Sequence, residues 1–168
     1  MQTSLQEEFT MKKTAVLLLL AAIYVFAAAC APKESAPDVT IPEWTITIET
    51  PGGEKQFTSK DAAKLTIITV EATTTNKNGE SQTNTYVGVK LADILSAVGV
   101  SDFAGVTVVA IDDYAADYDR ALALADDTVL AWQKDGELIT TEPPLQMAPA
   151  QGRGNQFVKF AAKIIVNP

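Results

Sequence analysis

The stretch "LTIITVEATTTNKNGESQTNTYVGV", residues 65–89, limits the fold more than any other part of the chain. Leu65 to Thr75 is the longest β-branched run present, and such residues favour a pleated, half-buried strand over a helix. Asn78 and Gly79 follow, a pair suited to the positive dihedrals of a hairpin turn, and "QTNTYVGV" supplies the returning strand. A chain committed to this hairpin needs further strands to cover it.

Those strands are legible on both sides. "WTITIET", residues 44–50, alternates apolar and polar before Pro51, Gly52 and Gly53, and "KQFT" is its short partner. "GVTVVAID" reads as a buried strand, "DYAADY" as a second strand or a loop, "DTVLAWQ" as another strand and "KDGE" as a turn. Toward the end, "EPPLQMAPAQGRGNQ" reads as an irregular loop and "FVKFAAKIIV" as one closing apolar strand. Helical signals are few. "SKDAAKL" opens with Ser59 in N-cap position, "RALALA" offers a short helix, and Leu91, Ile94, Leu95 and Val98 recur at helical spacing before a Gly99 stop. Strands outnumber short helices, so the expected class is α+β with a mixed, mostly antiparallel sheet.

The first forty residues are of another kind. Lys12 and Lys13 precede an apolar run from Ala15 to Phe26 and three alanines before Cys30, the order of a secretory signal. The run is short of the ~20 residues that cross a bilayer as a helix. Glu7 and Glu8 stand where a signal needs positive charge, which places the start of translation at Met11. The cysteine directly after Ala27, Ala28 and Ala29 resembles the lipobox of bacterial lipoproteins, in which the thiol of the new N-terminus carries lipid. The other reading is an ordinary signal cut after Ala-x-Ala. A lone cysteine in a secreted chain favours acylation.

Residues 31–42, "APKESAPDVTIP", read as a tether. The expected organisation is a signal over 1–29, a lipidated Cys30 and tether over 30–42, and a single domain over 43–168. Such a protein is exported and held by its lipid on the outer face of the cytoplasmic membrane or on the outer membrane.

Charge and residue usage exclude several functions. A net charge of -8 argues against a nucleic-acid partner, since phosphate contacts need clustered Lys and Arg. A small molecule, another protein and the membrane remain as partners. The chain has no histidine, which removes triads built on it and His-containing zinc sites. Asp112, Asp113, Asp117 and Asp119 crowd one stretch, but their spacing is not that of an EF-hand, and a solvated acidic turn is the simpler reading. Trp44, Tyr114 and Trp132 read as core aromatics more readily than as pocket walls.

Three segments, in order, resemble the molybdopterin-binding domain of the sulfite oxidase family. "YVGVKLADILSAVGV" is similar to its Gly-Val-x-Leu-x-Asp-Leu-Leu segment. "VTVVAIDDYAADYDRALALADDTVLAWQKDGELI" is similar to its Asp-Gly-Tyr strand and Asn/Asp-Gly-Glu turn, and "PPLQMAPAQGRGNQFVKFAAKIIV" to its Pro-Leu-Arg loop and Val-Lys-Trp strand. The resemblance implies the mixed sheet of that family and molybdopterin as a possible cofactor, with Arg153, Lys159, Gly152 and Gly154 as its candidate contacts. The commoner fate of a loop holding one arginine is simple solvation.

The same resemblance implies a molybdenum ligand that is not present. The family's cysteine lies upstream of its Gly-Val segment, where this chain reads "TVEATTTNKNGESQTNTYVGV" without one, and Cys30 lies beyond the tether. Glu71 is a poor substitute, because a carboxylate is not the soft ligand a thiolate is. The family's histidines are missing, and Gln146 stands in place of the loop arginine. No catalytic residue and no metal ligand is assigned. The expected function is a non-catalytic binding or accessory module; the alternative is an envelope oxidoreductase that retains a pterin cofactor.

Overall fold

The computed structural model describes residues 40–75 and 78–168. The chain divides into Met1–Pro37, outside the described residues, and Asp38–Pro168. The signal, Cys30, most of the tether, and Asn76 and Lys77 of the hairpin turn therefore lie outside the described residues.

Two sheets form in place of one. The five-stranded sheet runs β2-β1-β11-β5-β6, with β1 (Thr45–Thr50), β2 (Gly53–Thr58), β5 (Gly105–Ala110), β6 (Ala115–Asp119) and β11 (Ala161–Asn167). The six-stranded sheet runs β10-β9-β7-β4-β3, with β3 (Ile67–Thr75), β4 (Ser81–Lys90), β7 (Thr128–Lys134), β9 (Gln146–Pro149) and β10 (Val158–Lys159); β8 (Glu137–Leu138) pairs with β7. Among the described residues, only β1 and β11 run parallel; every other ladder is antiparallel. The class is the α+β arrangement that the sequence implies.

Both sheets contribute to one core. Ile46 and Ile48 from β1, Val106 and Val108 from β5, and Ile164 from β11 share it with Leu130 and Trp132 from β7 and Met147 from β9. Helix α2 (Leu91–Ala97) adds Leu91, Ile94 and Leu95, the residues its spacing marked, and ends at Gly99, whose φ of +78 only glycine adopts without strain. A smaller cluster, Val70, Ala72, Tyr86, Val129, Ala131 and Ala148, lies on the other face of the six-stranded sheet. Strand β7 is thus buried on both faces, with Leu130 and Trp132 on one and Val129 and Ala131 on the other. That is why its sequence is continuously apolar instead of alternating.

Four details depart from the sequence reading. "EPPLQMAPAQGRGNQ" holds β9, fully buried between β7 and β10, because its backbone groups pair on both sides. "FVKFAAKIIV" is two strands, broken at Phe160, whose φ of 56 turns the chain from one sheet into the other. The kink is held by Ile111 N donating to Phe160 O at 3.0 Å and Ala161 N to Leu145 O at 3.1 Å. Helix α1 (Ser59–Ala62) is capped by Thr58 and not Ser59: the Thr58 hydroxyl accepts from Asp61 N while the Asp61 carboxylate accepts from Thr58 N. Trp44 and Trp132 are core, but Tyr114 is 44% exposed, beside the β5–β6 turn.

Candidate functional site

Arg153 and Lys159 line different clefts. What separates them is the strand to which each is fastened. Lys159 pairs with Gln146 across the β10–β9 ladder of the six-stranded sheet. The loop carrying Arg153 is fastened to β6 of the five-stranded sheet, with Gln156 Nε2 donating to Asp117 O at 2.8 Å.

The first cleft, about 190 Å³, is lined by Lys134, Ile139, Thr141, Leu145, Gln146, Lys159 and Phe160. Gln146 is only 6% exposed and brings a buried amide to its wall. Pairing to Ala131 on β7 and Lys159 on β10 fixes its position. Beside it, Tyr86 is fully buried on β4, and the Lys134 Nζ stands 5.9 Å from the Tyr86 ring centroid. Burial pushes the Tyr86 hydroxyl above its ordinary pKa, the Asp135 charge adds to this, and a hydrogen bond with Gln146 opposes it. The hydroxyl therefore stays protonated at neutral pH.

Neither Lys134 nor Lys159 forms an ion pair among the described residues, and no carboxylate lines the cleft. Two ammonium groups, one amide, one hydroxyl and an apolar floor of Leu145 and Phe160 suit the anionic end of a ligand whose remainder is apolar. Of this set, the sequence marked Lys159 as a contact and Gln146 as a departure. Lys134 and Tyr86 were missed because only strand register brings them near, and Thr141 because it comes from the loop between β8 and β9.

The second cleft, about 540 Å³, is lined by Asp117, Asp119, Ala121, Leu122, Ala125, Gln151, Arg153 and Gln156. Gly152 and Gly154 flank Arg153 without forming a left-handed anion nest, since neither has a positive φ. Gly152 serves a close approach: a Cβ there would lie 2.4 Å from Pro149 Cγ, while its N–H donates to Pro149 O at 3.0 Å.

Three of the four aspartates near β6 have structural partners. Asp112 Oδ1 accepts from Tyr114 N, Asp117 Oδ1 from Thr107 Oγ1, and Asp119 Oδ1 from Leu122 N as the cap of helix α3 (Arg120–Ala123). Glu71 is exposed on β3, opposite Thr85. Among the described residues, no group of three or more Cys, Asp or Glu side chains could hold a metal ion.

Residues 33–168 match the model of a family described as "Oxidoreductase molybdopterin binding domain". No curated protein matches the chain. Among solved structures, the sulfane dehydrogenase SoxCD from Paracoccus pantotrophus superposes with a TM-score of 0.63 at 18% identity, over 77% of this chain and 39% of that one. At that identity the likeness is one of fold, and the chain spans about two fifths of the structure it resembles.

Proposed function

This chain belongs to the oxidoreductase molybdopterin binding domain family, and we propose that it works within that family as a binding or accessory module. In this reading the Lys134, Gln146 and Lys159 cleft takes the anionic end of a pterin-type ligand. The observation that carries it is the donor set: ammonium, amide and hydroxyl groups meet at the cleft, while the one cysteine of the chain is Cys30 and histidine is absent. Such donors fit a phosphate. They do not fit a soft transition ion, which calls for a thiolate. The residues thus match the anionic tail of molybdopterin and not its metal.

Cys30 is proposed as the lipid attachment point that keeps the protein outside the cytoplasm at a membrane surface, supported by the basic, apolar and small-residue order of residues 11–30. Metabolic labelling with a radioactive fatty acid, lost in Cys30→Ser, is the expected result for that anchor. An unlabelled wild-type protein would remove it.

For the domain, the test is metal and pterin analysis of protein purified from its own host. Pterin without stoichiometric molybdenum or tungsten, or empty protein that takes up pterin phosphate and loses it in Lys159→Ala, supports the accessory reading. Stoichiometric metal would replace it with the envelope oxidoreductase reading, which family membership alone favours.

A further inference from the structure

The groove around Arg153 is built differently from the lysine cleft, and the proposed function leaves it unused. Its loop is rigidly held. Gln156 Oε1 accepts from Arg153 N at 2.8 Å while its Nε2 donates to Asp117 O at 2.8 Å, so one side chain ties the loop at both ends. Tyr114 Oη donates to Asn155 O at 2.5 Å, and Tyr118 Oη donates to Gln156 O. The loop is therefore locked to β6 and the turn before it by two tyrosines and a glutamine.

The Arg153 guanidinium itself is unengaged. Among the described residues it makes no ion pair, although Asp117 and Asp119 line the same groove. Each aspartate uses one oxygen internally, Asp117 for Thr107 at 2.7 Å and Asp119 for Leu122 N at 2.8 Å, and no hydrogen bond occupies the other. A cation and two carboxylates are thus held in one groove without an ion pair between them. Arginine's planar fork is suited to a carboxylate, and the two aspartates to an ammonium group. A simple anion would meet two negative charges there, and a simple cation would meet the guanidinium.

We propose that this groove binds a small zwitterion of the amino-acid class, its carboxylate on Arg153 and its ammonium between Asp117 and Asp119. At about 540 Å³ the groove has room for an amino acid with its side chain. Ala121, Leu122 and Ala125 give that side chain an apolar wall.

Calorimetric titration of the full-length protein in detergent tests this, with glycine and L-glutamine as zwitterionic probes, acetate as the anion and ethylammonium as the cation. At least one zwitterion binds, about tenfold or more tighter than acetate or ethylammonium. Arg153→Ala, an exposed position, and the near-isosteric Asp117→Asn each weaken that binding by about tenfold or more. Lys159→Ala leaves it unchanged, which separates this site from the pterin cleft. The proposal is overturned if neither zwitterion binds, if acetate or ethylammonium binds as tightly, or if Arg153→Ala retains wild-type affinity.

Discussion

The lysine cleft and the arginine groove draw their cations from positions six apart in sequence, Lys159 and Arg153, yet they differ in electrostatics. The lysine cleft holds two cations and no carboxylate, whereas the groove sets one cation against two carboxylates. The difference comes from anchoring. A two-residue strand commits Lys159 to the six-stranded sheet, while Gln156 and two tyrosines commit the preceding loop to β6 of the other sheet and the turn before it. Charge type alone does not define a site here. The strand that holds each residue decides what faces it.

Four substitutions would break or sharpen this contrast. The largest effect is expected from Gly88→Ala on β4, where a Cβ would lie 2.1 Å from Leu130 O and 2.7 Å from Ala131 Cα, both backbone atoms that cannot step aside. About 3 kcal/mol of stability is lost, read from the urea midpoint. Both clefts should lose hydrogen-exchange protection together, because the two sheets share a core. Protection lost at Gln146 but kept at Gln156 would instead make the sheets independent units.

Gly152→Ala comes next, at about 2 kcal/mol, since its Cβ meets the Pro149 ring. The Arg153 loop should lose order while anion binding at Lys159 survives. Joint loss would show that the loop also supports the lysine cleft. Tyr118→Phe is smaller, about 1 kcal/mol, for one hydroxyl bond to Gln156 O. Burial raises the Tyr118 pKa, so that hydroxyl remains a donor well into alkaline solution. Faster amide exchange confined to residues 153–157 is the expected signature, and exchange at the wild-type rate would mean that Gln156 and Tyr114 pin the loop without that hydroxyl.

The smallest effect lies outside both clefts and serves as a control. Asp61 on α1 has its pKa lowered from 3.8 to about 2, chiefly by the hydrogen bond from Lys64 and then by those from Thr58. A depressed carboxylate contributes stability above its unfolded pKa and loses it as pH falls toward about 2. Asp61→Asn should flatten the acid limb of stability between about pH 4 and 2, measured by thermal melting at each pH. An unchanged limb would assign it to other carboxylates.

Much of the fold was legible because it is locally encoded. The β-branched run, the glycine turns and the helical spacing of Leu91, Ile94 and Leu95 each depend on nearby residues. What escaped depends on partners distant in sequence. Nothing within "PPLQMAP" announces a strand; β9 exists because β7 and β10 offer backbone partners on both sides. The break at Phe160 is equally silent, since an aromatic in an apolar run gives no cue for a left-handed turn. The site was legible to the same degree. The positive charges of Arg153 and Lys159 stood out in an acidic chain, but their assignment to separate clefts, and the arrival of Lys134 from β7, needed the register.

One feature of the five-stranded sheet bears on when this domain can form during synthesis. Strand β11, C-terminal to the other described strands, lies between β1 and β5, pairing parallel with the first and antiparallel with the second. Until β11 is available, the β1–β2 and β5–β6 hairpins are two ribbons with no strand of this sheet between them, so the five-stranded sheet forms only after residues 161–167 have been made.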